Sequence, residues 1–150
     1  MAYQSLLYHV VIRTHCSQRT ITETFEKELY GYIYGFLKDK KVHVYRIGGM
    51  SDHIHILMSI PPTLAVSDLI RDMKRSASLY LRGERHKFPY FERWSESYAI
   101  FTYAYRDLEM IRNYIKNQKE HHKKVSLADE LRQLLKGAGI DYDEKYFLKD

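Results

Sequence analysis

His53 and His55 are the first residues in this chain whose types and spacing could do chemistry. They lie in the stretch Ser51-Asp-His-Ile-His-Ile-Leu-Met-Ser-Ile-Pro-Pro62, where Ile54, Ile56, Met58 and Ile60 alternate with His53, His55, Leu57 and Ser59. A period of two predicts a strand, and Pro61-Pro62, which cannot continue a hydrogen-bonded ladder, predict its end. Residues i and i+2 of a strand point the same way about 6.5 to 7 Å apart at Cα, so two imidazoles on one face can converge on a single cation. The same pair also reads as two hydrogen-bonded surface histidines, and the pair alone does not choose between the two. Asp52 reads either as a turn residue or as an acceptor that orients a ligand histidine.

Two further groups belong to the same question. After Asp107, a candidate N-cap, Leu108, Ile111 and Ile115 form the apolar stripe of a helix running to about His122. Tyr114 and Gln118 lie one turn apart at the edge of that stripe, so a phenol and an amide project together. His121 and His122 read as the solvated end of this helix. Upstream, Leu69, Ile70, Met73, Ala77 and Tyr80 mark a helix from Val66 to about Arg82, with Arg71, Lys74 and Arg75 on its other faces. With Arg82 these cations form either a phosphate-contacting surface or a solvated helix face.

The elements that must carry these residues follow in order. A β-branched run, Leu6–Arg13, predicts a first strand; the capping-box pattern Thr20-x-x-Glu23 then opens a helix through Phe25, Leu29, Ile33 and Leu37. In it Gly31 and Gly35 either permit a close approach or simply face solvent. Val42–Ile47 predicts a second strand, Gly48–Asp52 the turn into the histidine strand, and Ser97–Tyr105 a fourth strand after the basic helix. The order βαββαβ predicts an α+β, ferredoxin-like antiparallel sheet with helices on one face. The isoleucines meet those helices, and the histidine face is left for the additional C-terminal helix that bears Tyr114. Ser126-x-x-Asp129 opens a short last helix through Leu131, Leu134 and Leu135, closed by Gly137 and Gly139. No element is predicted for the tail to Asp150.

Composition narrows the class. The chain of 150 residues fits one domain, residues 1–150, and 45% hydrophobic with 29% charged residues excludes a disordered or low-complexity chain. The single Cys16 excludes an intramolecular disulfide and a cysteine-based zinc cage. With no run of eighteen apolar residues and no charged-then-apolar leader, a soluble, cytoplasmic protein without a membrane partner is expected. A net charge of +5 tilts the reading towards a polyanion, and fourteen tyrosines offer rings that stack on bases as well as fill cores.

Taken together, Asp-His-Ile-His with its Pro-Pro, the basic helix, Trp94 and Tyr98, Tyr114-Ile-Lys-Asn-Gln118 with His121-His122, and the closing Gly-Ile-Asp-Tyr-Asp-Glu-Lys-Tyr resemble one family. It is that of the single-tyrosine HUH transposases of short bacterial insertion sequences, the TnpA type, with the REP-associated tyrosine transposases among its relatives. The resemblance covers most of the chain and implies that His53, His55 and Gln118 bind a divalent metal, Mg or Mn. It implies that Tyr114 attacks single-stranded DNA at the ends of the element, forming a covalent 5′-phosphotyrosine and then rejoining the strand. It further implies hairpin DNA as partner, with Arg71, Lys74, Arg75 and Arg82 as candidate DNA contacts, and a homodimer with the tyrosine supplied in trans. The alternatives are a host-adopted HUH nickase and, from another class, a non-catalytic ferredoxin-like nucleic-acid-binding module.

Overall fold

In the computed structural model, which describes residues 2–150, four strands form one antiparallel sheet. They are β1 (Leu7–Thr14), β2 (His43–Met50), β3 (His53–Ser59) and β4 (Trp94–Tyr103), in the order β2-β3-β1-β4. Helix α1 (Glu26–Asp39) connects β1 to β2 and α2 (Val66–Gly83) connects β3 to β4, giving the expected βαββαβ order of an α+β protein. The two central strands β1 and β3 pair from Leu7↔Ser59 to Arg13↔His53, so the histidines stand on a central strand, at its first and third residues.

Alternation along β3 decides what each residue faces. Ile54, Ile56 and Met58 turn to one side, where they are buried with Leu29, Ile33 and Leu37 of α1 and Ile70, Met73 and Leu81 of α2. Residues of the opposite parity, His53, His55 and Leu57, turn to the other side. That side is covered by Leu108, Ile111 and Ile115 of α3 (Leu108–Lys116) and by Leu127 and Leu131 of α5 (Leu127–Gly137). Between them runs the single turn α4 (Gln118–His121). Each fully buried aliphatic side chain contributes about 1.5–3 kcal/mol, so these residues hold the C-terminal helices onto the sheet.

Several local expectations are corrected. The capping box at Thr20-x-x-Glu23 does not form: Glu23–Phe25 is a 3-10 turn, and α1 begins at Glu26 without a side-chain cap. The Thr22 hydroxyl instead donates to the Lys87 carbonyl at 2.7 Å, and the Thr20 amide to the Ser51 carbonyl at 3.0 Å, so tertiary partners displace the cap. Ser126 does cap, accepting from the Asp129 amide at 3.2 Å. Gly48 and Gly49 stay inside β2 and leave only Ser51–Asp52 for the turn. A Cβ on Gly48 would sit 2.9 Å from the Ile115 carbonyl oxygen, so glycine is what lets α3 lie directly on β2. The helix expected to run from Leu108 to His122 is interrupted at Asn117. The fourth strand starts earlier, at Trp94, and stops at Tyr103, because Tyr105–Asp107 turn into a 3-10 segment that leads into α3. A Cβ on Gly31 or Gly35 would meet nothing within 4 Å beyond the neighbouring helix backbone among the described residues, so neither permits a close approach.

The unassigned tail makes turns and folds back. Phe147 and Leu148 pack on the cluster of α5, while the Asp150 carboxylate takes the Glu96 amide at 2.8 Å and pairs with His15 at 2.9 Å. No helix among the described residues is long and apolar enough to cross a membrane.

Candidate active site

Both β3 histidines are fully buried, with ring centroids 5.0 Å apart. The Nδ1 of His53 lies 2.7 Å from Asp52 Oδ1, so the carboxylate accepts from that nitrogen and Nε2 is presented to the site. Asp52 is therefore an orienting acceptor as well as a turn residue, so both of its sequence readings hold. For His55, Nδ1 lies 2.7 Å from His9 Nε2 on β1, and Nε2 again points inward.

The interrupted helix delivers the other expected residues. Gln118 Oε1 is 3.0 Å from His53 Nε2, and the Tyr114 ring stands edge-on to His55 with centroids 5.7 Å apart. Lys119 fixes this turn, its ammonium donating to the Gly49 carbonyl at 2.6 Å and to Glu26 at 2.7 Å. His53, His55, Tyr114 and Gln118 thus meet within one chain.

At their centre is a residue that sequence reasoning missed. Glu130, on α5, is 1% exposed. Its Oε1 lies 3.1 Å from His55 Nε2, 3.1 Å from His122 Nε2 and 3.3 Å from His53 Nε2. Its Oε2 accepts from the Tyr114 hydroxyl and, at 2.8 Å, from the Gln118 amide. A signal existed: Leu127, Glu130, Leu131 and Leu134 share one helical stripe, and a carboxylate on an otherwise apolar stripe needs partners. His122 was expected at a solvated helix end, yet its side chain is 6% exposed, because the break at Asn117 turns α4 inward. Ligand atoms of His53, His55, His122 and Glu130 lie within 4.8 Å of one another, and three imidazole nitrogens with a carboxylate oxygen are a donor set that fits a divalent cation.

Charge in the cluster follows burial and contact. Burial opposes a charged His53, but the hydrogen bonds to Asp52 and Glu130 outweigh it and raise its pKa to about 9. Burial dominates at His55 and His9, lowering them to about 4 and about 3. Burial raises the Glu130 carboxyl, but hydrogen bonds from His122, His53 and His55 prevail and hold it far below the usual carboxylate range. The Tyr114 phenol is pushed up by burial and by the carboxylate of Glu130.

The candidate DNA-binding cations are elsewhere. Arg71, Lys74, Arg75 and Arg82 belong to α2, on the sheet face opposite the histidines. Arg71 pairs with Asp68 and Asp72, Lys74 donates to the Ser95 carbonyl at 2.6 Å, and Arg82 donates to the Glu92 carbonyl at 2.8 Å. Arg75 is exposed. Nearer the cluster, a cleft of about 550 Å³ is lined by Arg19, Ser51, Asp52, His122 and Ser126.

A sequence profile of the family described as "Transposase IS200 like" matches residues 2–118, from before β1 to Gln118. The chain belongs to the IS200-like transposase family. It is 26% identical over 120 residues to the transposase for insertion sequence element IS200 of Salmonella typhimurium, covering 77% of this chain and 78% of that one. The Salmonella typhi IS200 transposase matches to the same extent. Two solved structures share the fold. A putative transposase from Deinococcus radiodurans superposes with a TM-score of 0.61 at 20% identity, over 79% of this chain and 95% of that one. A REP-associated tyrosine transposase bound to a REP hairpin superposes with 0.59 at 14% identity, over 92% and 87%. Membership of this family makes the chain a DNA-processing enzyme, a transposase. His121, His122 and Glu130 lie beyond the residues that the family profile matches.

Proposed function

We propose that this chain, as one domain over residues 1–150, cleaves and rejoins single-stranded DNA at insertion-sequence ends, with Tyr114 as nucleophile and His53, His55 and Gln118 as ligands of a divalent cation, Mg or Mn. The observation that carries the reading is the meeting of the Tyr114 hydroxyl, the Gln118 amide and the Nε2 atoms of His53 and His55 around one buried point.

Tyr114 O attacks the scissile phosphorus, the P–O3′ bond breaks, and the chain holds a 5′-phosphotyrosine while a free 3′-hydroxyl departs. Attack by another 3′-hydroxyl reverses the step and returns the phenol, so the bond energy is conserved and no nucleotide is consumed. A phenol of ordinary pKa near 10 is a weak nucleophile at neutral pH. A divalent cation, when bound, supplies positive charge against the phosphate and offsets the charge that develops there. Asp52 and His9 keep the Nε2 atoms of His53 and His55 turned to the site, and Glu130 holds the phenol beside them.

Hairpin DNA is the partner supported by the hairpin in the solved REP-associated relative. With α2 on the other face of the sheet, Arg71, Lys74, Arg75 and Arg82 contact backbone phosphates away from the scissile bond. The reading includes a cytoplasmic homodimer. Exchange of α3 between copies would deliver Tyr114 in trans; the contacts of Tyr114 with its own Glu130 and His55 support delivery in cis.

The test is incubation with labelled single-stranded DNA from the flanks of the element, followed by denaturing electrophoresis. A covalent adduct with the wild-type chain and none with Tyr114→Phe is expected. An adduct that survives the substitution removes Tyr114 from its role.

A further inference from the structure

We propose that Glu130 and His122 are also ligands of the cation, so that the ion is held by three imidazoles and a carboxylate and not by His53, His55 and Gln118 alone. The inference rests on the reading of this cluster as a metal centre and deepens it.

The first argument is spacing. Two ligands at right angles, each about 2.1 Å from an ion, lie about 3 Å from one another. Glu130 Oε1 is 3.1 Å from two of the Nε2 atoms and 3.3 Å from the third, which is the separation of neighbouring ligands around one centre. All three rings reach it through the same nitrogen. That convergence brings β3 together with two elements far downstream of it in sequence, the end of α4 and α5.

The second argument is charge. Glu130 is 1% exposed, and among the described residues its ion-pair partners are the four histidines His53, His55, His121 and His122, with no lysine or arginine. A buried carboxylate without a permanent cation is costly unless its charge is met. A divalent ion meets it, and does so with the imidazoles neutral, the form in which they ligate.

The third argument is division of labour within one carboxylate. Oε1 faces the imidazoles of His53, His55 and His122, while Oε2 takes the Tyr114 hydroxyl and, at 2.8 Å, the Gln118 amide, with His121 Nε2 3.3 Å from it. One side chain therefore joins the ion to the nucleophile, with Gln118 steadying the join. The consequence is a preference: three nitrogens suit Mn, Co or Zn better than Mg, and the carboxylate cancels one unit of the ion's charge.

Calorimetric titration of the chelator-stripped full-length chain with manganese chloride tests this. Glu130→Gln and His122→Asn are each expected to weaken manganese binding at least tenfold, with Glu130→Asp in between and folding checked by circular dichroism. Wild-type affinity in both variants, with binding lost in His53→Ala, overturns the proposal and leaves the His53, His55 and Gln118 site standing. Wild-type affinity in His53→Ala as well overturns the metal-centre reading itself. A measurement that needs no variant is pulsed electron paramagnetic resonance of the manganese-loaded wild-type chain. Three coupled imidazole nitrogens are expected, and two overturn the assignment of His122.

Discussion

His9 on β1 and His55 on β3 touch through their rings, Nε2 to Nδ1 at 2.7 Å, and neither is exposed to solvent. If His55 offers its Nε2 lone pair to a cation, its Nδ1 carries the proton and His9 Nε2 must accept it. The remaining His9 nitrogen, Nδ1, is buried and has no hydrogen-bond partner among the described residues. His9 thus does for His55 what Asp52 does for His53: it fixes which nitrogen faces the site.

His9→Phe, which fills the same space without an acceptor, is expected to leave the His55 N–H unpaired at a cost of about 1–3 kcal/mol. Manganese affinity should fall about tenfold, the scale on which partners of metal-binding histidines act. His9→Gln, which keeps an acceptor, should recover part of both. Urea denaturation and calorimetry measure the two effects, and unchanged manganese affinity in His9→Phe would reduce His9 to a packing residue.

Gly48 supports the nucleophile from underneath. A Cβ there meets the Ile115 carbonyl oxygen at 2.9 Å and the Ile115 side chain at 3.0 Å, and Ile115 is the next residue after Tyr114. Gly48→Ala should lift α3 and cost about 1–3 kcal/mol, as overpacking does. Adduct formation should drop more steeply than stability predicts, since Tyr114 and Gln118 move with the helix. Full activity in a folded Gly48→Ala chain would show that Gly48 does not position the tyrosine.

The α2 cations are best probed where they hold no main-chain carbonyl. Lys74 and Arg82 hold main-chain carbonyls, so Arg71→Glu with Arg75→Glu is the informative pair. Weaker hairpin binding is expected, with the slope of log affinity against log salt reduced by about one for each phosphate that is no longer neutralised. Adduct yield at saturating DNA should be unchanged. An unaltered affinity and slope would make the surface a solvated face.

The assembly of the site can be decided by mixing. With Tyr114 on its own Glu130, co-expressed Tyr114→Phe and His53→Ala chains should remain inactive. Adduct formation by heterodimers shown to exist would demonstrate that α3 is exchanged and the tyrosine acts in trans.

Much of this protein is written locally in its sequence. Period two in His53–Ser59 separates an isoleucine face from a histidine face, and period 3.6 in α3 places Tyr114 and Gln118 one turn apart; both follow from backbone geometry alone. The order of the elements then specifies a sheet with one face free for a further helix. What remained hidden depends on contacts between residues distant in the chain. Glu130 gains its meaning only when α5 docks on β1 and β4 through Leu127 and Leu131, carrying the carboxylate to histidines 75 and 8 residues away in sequence. His122 turns inward only because the helix breaks at Asn117, a bend that Lys119 holds by reaching Gly49 and Glu26. His9 looked like one residue in a β-branched strand until antiparallel register set it beside His55. Local periodicity tells which way a side chain points from its own element; which donors share a point is decided by how the elements pack.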